Sequence, residues 1–385
     1  YGRIMQSIAG AHYNLSLPDS FWRKWQELVG NKDSLRDFKS DQYFWLIRNF
    51  RRRSWLLMLL FGASPALDAS FVAGVRHDLA RFDDRTWFGQ HATSLRMGDL
   101  GYTSQAQSEL EVCYNDLDHY ISTLRSAILK PHPPYAAIDR MDNGEQAQLN
   151  TSLLQIENEY YSPIRPKRVT GSGEAPVLAL TRGGIEYVEV RCVDINPFVP
   201  FGIDGDTMRL LDLFLLSCLA DTSPACDEAG RRRNKTNLQR TVNRGRDPEL
   251  TLLSECNTEV SLGELAQPIL NRMSEIADWF DRDASRNGEY TRIAEEACER
   301  VIDPSMTPSA RLLNEMESSG QSFWQVAKKY SNRWHAEHLS QPLDCKALAA
   351  LEAEARASVE RQLELEASDK EPFEAYLARF YSQYS

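Results

Sequence analysis

The stretch from Leu154 to Pro197 reads LQIENEYYSPIRPKRVTGSGEAPVLALTRGGIEYVEVRCVDINP. Its composition predicts two β-type segments joined by a basic, glycine- and serine-containing connection. In the second segment, Gly184 to Asn196, period-2 alternation puts Ile185, Tyr187, Glu189, Arg191 and Val193 on one face. The opposite face takes Glu186, Val188, Val190, Cys192 and Asp194. The first segment alternates likewise, with Gln155, Glu157, Glu159 and Tyr161 on one side. Between them lie Arg165, Lys167 and Arg168, then Gly171-Ser172-Gly173. Either segment alone also fits a sheet with one solvated face. Together they fit a site: carboxylates hold a divalent cation, while guanidinium, ammonium and free backbone N–H groups suit phosphates.

Working outward, residues 7–17 (SIAGAHYNLSL) form another alternating segment. Ala9, Ala11, Tyr13, Leu15 and Leu17 make its core face. Ile8, Gly10, His12, Asn14 and Ser16 make a small, polar one suited to the wall of a wet cavity. Asp19 or Ser20 is expected to cap a helix to about Val29. A buried helix is expected from about Ser40 to Phe61, ended by Gly62 to Pro65. Residues 76–106 are irregular and glycine-containing, and 107–130 predict a helix stopped by the prolines at 131–134. Further helices are expected over 206–220, after the Ser261/Glu264 capping box, after Thr307-Pro308, and over 346–368. The expected architecture is α+β, with a sheet region over 1–205 and a mostly helical region over 206–385 packed on it.

Composition excludes several classes. A net charge of −11 over 385 residues argues against a general nucleic-acid binder. The apolar run Trp55 to Phe61 is too short to span a bilayer. Seven cysteines, an odd number without CxxC spacing, suit a reducing compartment, so the expected location is the cytosol. The basic residues from Arg231 to Arg246 read as a solvated surface paired with local acids, with a contribution to nucleotide binding as the alternative. His335 and His338 have the spacing of metal ligands but no evident third ligand.

The blocks QIENEYYSPIRPKR and RGGIEYVEVRCVDINPF resemble the proteobacterial type of glutamate–cysteine ligase. So do YGRIMQSIAGAHYNLSLP at the start, LFGASPA at 60–66, ATSLRMGDLGYTSQAQSEL at 92–110 and EPFEAYLARF at 371–380. The resemblance implies a glutamine-synthetase-like fold, in which an antiparallel sheet curves into an active-site cup. It implies ligation of glutamate, through its γ-carboxyl, to the amine of cysteine. ATP is the co-substrate and Mg²⁺ or Mn²⁺ the metal. It further implies His12 and Glu189 as metal ligands, Arg191 and Arg96 as catalytic cations, and Tyr102 and Tyr161 as contacts to cysteine. Asn14, Arg165 and Lys167 are weaker nucleotide or phosphate contacts. Family members carry roughly a hundred or more residues ahead of the tyrosine that is Tyr1 here, including several metal carboxylates. The expectation is therefore that these 385 residues alone bind nucleotide poorly and do not turn over, with that segment as a partner. Two alternatives are a related ligase with another amine substrate and a non-catalytic fragment.

Overall fold

The computed structural model describes residues 8–384 except 102–104, 108–109, 139–140, 143–144, 284 and 286. Strand β1 (Ala11–Leu15) leads into helix α1 (Asp19–Leu28) and then α2 (Leu35–Phe61). Helix α3 (Leu117–Leu129) follows a long irregular stretch that contains a small sheet of Ala66–Asp68, Ala80–Arg81 and Thr86–Phe88. Strand β2 (Ile164–Lys167), helix α4 (Pro176–Gly183) and strand β3 (Tyr187–Val193) come next. The rest is mostly helical: α5 (Gly205–Ala220), α6 (Glu228–Arg244), α7 (Leu262–Phe280), α8 (Glu289–Ile302), α9 (Pro308–Ser319), α10 (Phe323–Ser340), α11 (Cys345–Ser368) and α12 (Phe373–Ser382). The fold is α+β, and its principal sheet is antiparallel in the order β1-β3-β2.

Helix α2 is the scaffold. Leu56, Leu57, Met58, Leu59 and Leu60 are consecutive and all at most 1% exposed, so its C-terminal half is buried on every side. It packs under the apolar face of the sheet, supplied by Val188, Val190, Cys192 and Ile164, and against α5, where Phe50 meets Phe214 edge to face. Asn49 donates to the carbonyls of Cys218, Asp221 and Thr222, satisfying the end of α5 inside the core. Most of the buried apolar residues, from Trp22 to Tyr384, belong to this one cluster, and a smaller one gathers Ala66, Leu312, Leu313, Met316 and Val326. No helix among the described residues is long and apolar enough to cross a membrane.

Several local expectations change. Helix α1 has Pro18, not Asp19 or Ser20, at its N-cap, without a side-chain cap. Helix α2 starts at Leu35, because Ser34 accepts a hydrogen bond from the Asp37 N–H. Helix α3 starts only at Leu117, where Asp116 caps the His119 N–H. The largest change is in the central stretch. Residues 157–159 form a single 3-10 turn instead of a strand. Its carboxylates satisfy backbone groups: Glu157 accepts from Val177 N–H at 3.1 Å and Glu159 from Gln155 N–H at 2.6 Å. The strand lies later, in the basic connection itself. Pro166 fits there because β2 is an edge strand, where a missing N–H costs no ladder bond on the open side. The capping box Ser261/Glu264, the Thr307 cap before Pro308 and an exposed α11 follow expectation.

Candidate active site

Register lines up the polar residues. Asn14, Glu189 and Arg165 are successive partners in a row across β1, β3 and β2, and Lys167 pairs with Tyr187 beside them. Directly paired residues of antiparallel strands project to the same side. The side away from α2 therefore carries His12 and Asn14 from β1, Glu189 and Arg191 from β3, and Arg165 and Lys167 from β2. A bulge between Ala11 and Tyr13 sets His12 apart from the regular ladder.

Among the described residues, a single carboxylate on this face, Glu189, stands among three cations. Arg191 Nη1 donates to Glu189 Oε2 at 3.1 Å, and Arg165 faces it across the ladder. Burial pushes the Glu189 carboxyl up, but Lys167, Arg191 and Arg165 together bring it below its ordinary value. Burial likewise lowers Lys167 and Arg165. Arg165 is 5% exposed and donates to the carbonyls of Asn158 and Tyr160, which clamp it under the 3-10 turn, while its Nε has no partner among the described residues. So positive a surface, sunk partly out of water, suits anionic oxygens.

His12 Nδ1 lies 3.7 Å from Glu189 Oε1, too far for a hydrogen bond. Its pKa is lowered, first by burial and then by Arg191. Of the two, the carboxylate is the ligand a hard divalent cation favours, and a neutral imidazole can complete its shell beside phosphate oxygens. The described residues contain no group of three or more His, Cys, Asp or Glu that could hold a metal. His335 and His338 stand on α10, where His338 stacks on Phe201.

Arg191 also borders a cleft of about 660 Å³, a volume suited to a small-molecule substrate. Tyr161 lines it, held through its N–H by the Gln107 side chain at 3.2 Å. Arg51, Gln107, Arg231 and Lys235 line it too; of these, sequence pattern offers only Arg231 and Lys235 to a site, as the nucleotide-binding alternative for the basic run. Arg51 was masked by its place in a helix that is otherwise core; it lies 4.3 Å over the Tyr114 ring. The basic run on α6 is largely paired, Arg231 with Glu111, Arg240 with Glu259 and Arg244 with Asp247, yet Arg231 and Lys235 reach the cleft.

Arg96 stands apart from the sheet face, at the end of β3. Its Nε donates to Asp194 Oδ1 at 2.7 Å and its Nη2 to the Val193 carbonyl at 3.0 Å. Tyr102 lies outside the described residues.

Comparison with known proteins gives the family of the chain. A family model described as glutamate–cysteine ligase matches residues 1–241. The glutamate–cysteine ligase of Azotobacter vinelandii is 49% identical over 385 residues, covering 99% of this chain and 72% of that protein. That of Pseudomonas paraeruginosa is 48% identical over 383 residues, again 99% and 72%. The crystal structure of the Francisella tularensis glutamate–cysteine ligase in complex with AMP superposes with a TM-score of 0.89 at 33% identity, covering 99% of this chain and 74% of that one. A bifunctional glutathione synthetase from Pasteurella multocida shares the fold, with a TM-score of 0.64 at 22% identity over 87% of this chain and 38% of that one. The chain belongs to the glutamate–cysteine ligase family.

Proposed function

We propose that the protein ligates L-glutamate, through its γ-carboxyl, to the amine of L-cysteine with ATP as co-substrate. The observation that carries the reading is 49% identity to a glutamate–cysteine ligase over essentially the whole chain. The cation-rich sheet face supports it in chemical terms. In the first half-reaction a γ-carboxylate oxygen of glutamate attacks the γ-phosphorus of ATP, the bond to the β,γ-bridging oxygen breaks, and ADP leaves. In the second, the cysteine amine attacks the acyl carbon, loses a proton, and inorganic phosphate departs with the C–O bond electrons.

Negative charge concentrates on the transferring phosphoryl group, then on the oxygen of the tetrahedral carbon. Arg191, Arg165 and Lys167 supply fixed positive charge for it, and a preorganised donor of this kind is commonly worth about 10²–10³ in rate. Asn14, on the same row as Glu189, offers an amide to the nucleotide. His12 and Glu189 would hold Mg²⁺ or Mn²⁺, which when bound offsets the charge of the phosphates. Tyr161 brings an apolar ring and a hydroxyl to the cysteine end of the cleft, and Tyr102 is proposed as a second contact to cysteine.

The test follows ADP release and γ-glutamylcysteine formation with glutamate, cysteine, ATP and Mg²⁺. Product and ADP in equal amounts, both requiring cysteine, are expected. Faster product formation with a different amine would move the chain to a related carboxylate–amine ligase; absence of any amine-dependent product, both from the 385 residues alone and from the same residues joined to the N-terminal segment of a homologous ligase, contradicts the reading.

A further inference from the structure

Three separated sequence blocks meet at one buried carboxylate. Asp194, 2% exposed, follows the last residue of β3. Its Oδ2 accepts from the Ala63 N–H at 2.8 Å and the Ser64 hydroxyl at 2.7 Å. Its Oδ1 accepts from the Ser94 hydroxyl at 3.0 Å and from Arg96 Nε at 2.7 Å. LFGASPA, ATSLRMGDLG and RCVDINP thus converge on a single group. Four donors on one carboxylate satisfy it without water, so its orientation is fixed.

The guanidinium it holds is fixed from the other side as well. Nη2 donates to the Val193 carbonyl at 3.0 Å, and the plane lies against Gly10, just before β1. A Cβ at position 10 would come within 2.6 Å of Arg96 Cζ and 2.7 Å of Nη1. The far end of an arginine normally gives way cheaply, but this one cannot move without breaking its bonds to Asp194 and Val193. Nη1 has no partner among the described residues and lies beside Gly10, two positions before His12 in the chain.

We infer that Asp194 is a positioning residue for ligation: with Gly10 it forms a slot that holds Arg96 so that Nη1 meets one anionic oxygen of the substrate. This rests on the ligase reading above. The oxygen belongs either to a glutamate carboxylate or to an ATP phosphate. With Nε and Nη2 already engaged, Arg96 offers a single nitrogen and not a two-pronged grip. Asp194→Asn removes the charge and must turn its NH₂ toward either Arg96 Nε or the Ala63 N–H, breaking the slot from below. Gly10→Ala breaks it from above and leaves the Ala63, Ser64 and Ser94 bonds to Asp194 in place.

The experiment compares wild type, Asp194→Asn, Gly10→Ala, Arg96→Ala and the Asp194→Asn/Arg96→Ala pair. It measures turnover at varied glutamate and ATP, together with calorimetric affinities for each. A displacement of 1 Å at such a group lowers kcat/KM by about 10²-fold. Each single variant is expected to lose on that scale, and the pair no more than Arg96→Ala alone, because Asp194 acts through Arg96. Losses confined to glutamate assign the carboxylate; losses confined to ATP assign the phosphate. Defects that multiply in the pair, or a Gly10→Ala enzyme with wild-type constants, overturn the proposal. Should Asp194→Asn fail to fold, Gly10→Ala decides alone. A wild type that binds glutamate or ATP but makes no γ-glutamylcysteine even when joined to the N-terminal segment of a homologous ligase contradicts the ligase reading instead; affinity lost in Gly10→Ala then supports the slot, and affinity kept overturns it.

Discussion

Arg165 and Glu189 face one another across neighbouring antiparallel strands, although 24 positions separate their numbers and one of them sits beside a proline on a sheet edge. The pair places a clamped cation next to the only carboxylate that the described residues set on the cation-rich sheet face. Arg191, two residues along the same strand, completes the group, donating to Glu189 at 3.1 Å.

Arg191 is therefore expected to act on the transition state more than on ground-state binding. Arg191→Lys and Arg191→Ala should lower kcat by about 10²-fold while raising the KM for ATP much less. Steady-state kinetics at saturating glutamate and cysteine check this. A pure KM effect would assign the residue to ground-state binding.

His12 and Glu189 are predicted to share a divalent cation. Alanine at either position should raise the Mg²⁺ or Mn²⁺ concentration for half-maximal rate at saturating ATP by about tenfold or more, by analogy with the loss of a ligand's support at metal sites. An unchanged metal titration in both folded variants contradicts the assignment.

The same histidine gives a pH prediction. Burial and Arg191 lower its pKa from 6.5, so the folded protein binds this proton less readily than the unfolded chain. Stability linked to His12 is then full above 6.5 and falls as the pH drops below that value, since the unfolded state takes up more protons there. Glu189 opposes the shift. An NMR titration of the ring should show a midpoint below 6.5, lower still in Glu189→Gln and higher in Arg191→Ala. A wild-type midpoint at or above 6.5 is inconsistent with the geometry.

Part of this was legible in the sequence and part was not, for identifiable reasons. The alternation of β3 is faithful: Val188, Val190 and Cys192 are buried while Glu189 and Arg191 face the site. β1 keeps its pattern over Ala11–Leu15. Residues 155–161 alternate as well as any strand, but Glu157 and Glu159 bond to backbone N–H groups and supply locally what a ladder would have supplied. β2 was hidden by Pro166 and its basic neighbours, features that edge strands tolerate. Asp194 did leave a trace, a carboxylate closing the apolar face of an otherwise clean strand. The partner of Glu157 left none, because Tyr384 lies 227 positions away and nothing local announces it.

That distant contact makes a stability prediction. Glu157 is 6% exposed and accepts from Val177 N–H and from the Tyr384 hydroxyl, whose ring is fully buried. Tyr384→Phe keeps the ring and strands the carboxylate, which is expected to destabilise the fold by about 1–3 kcal/mol. A urea unfolding midpoint matching wild type would contradict it.

The most direct test of the account is isotopic. Glutamate labelled with ¹⁸O in its γ-carboxyl is supplied with ATP, cysteine and Mg²⁺, and the inorganic phosphate is analysed by mass spectrometry. Activation through an acyl phosphate predicts one ¹⁸O in each phosphate for every γ-glutamylcysteine formed, with the transfer falling in step with turnover in Arg191→Ala. Phosphate that carries no ¹⁸O while γ-glutamylcysteine accumulates would contradict it.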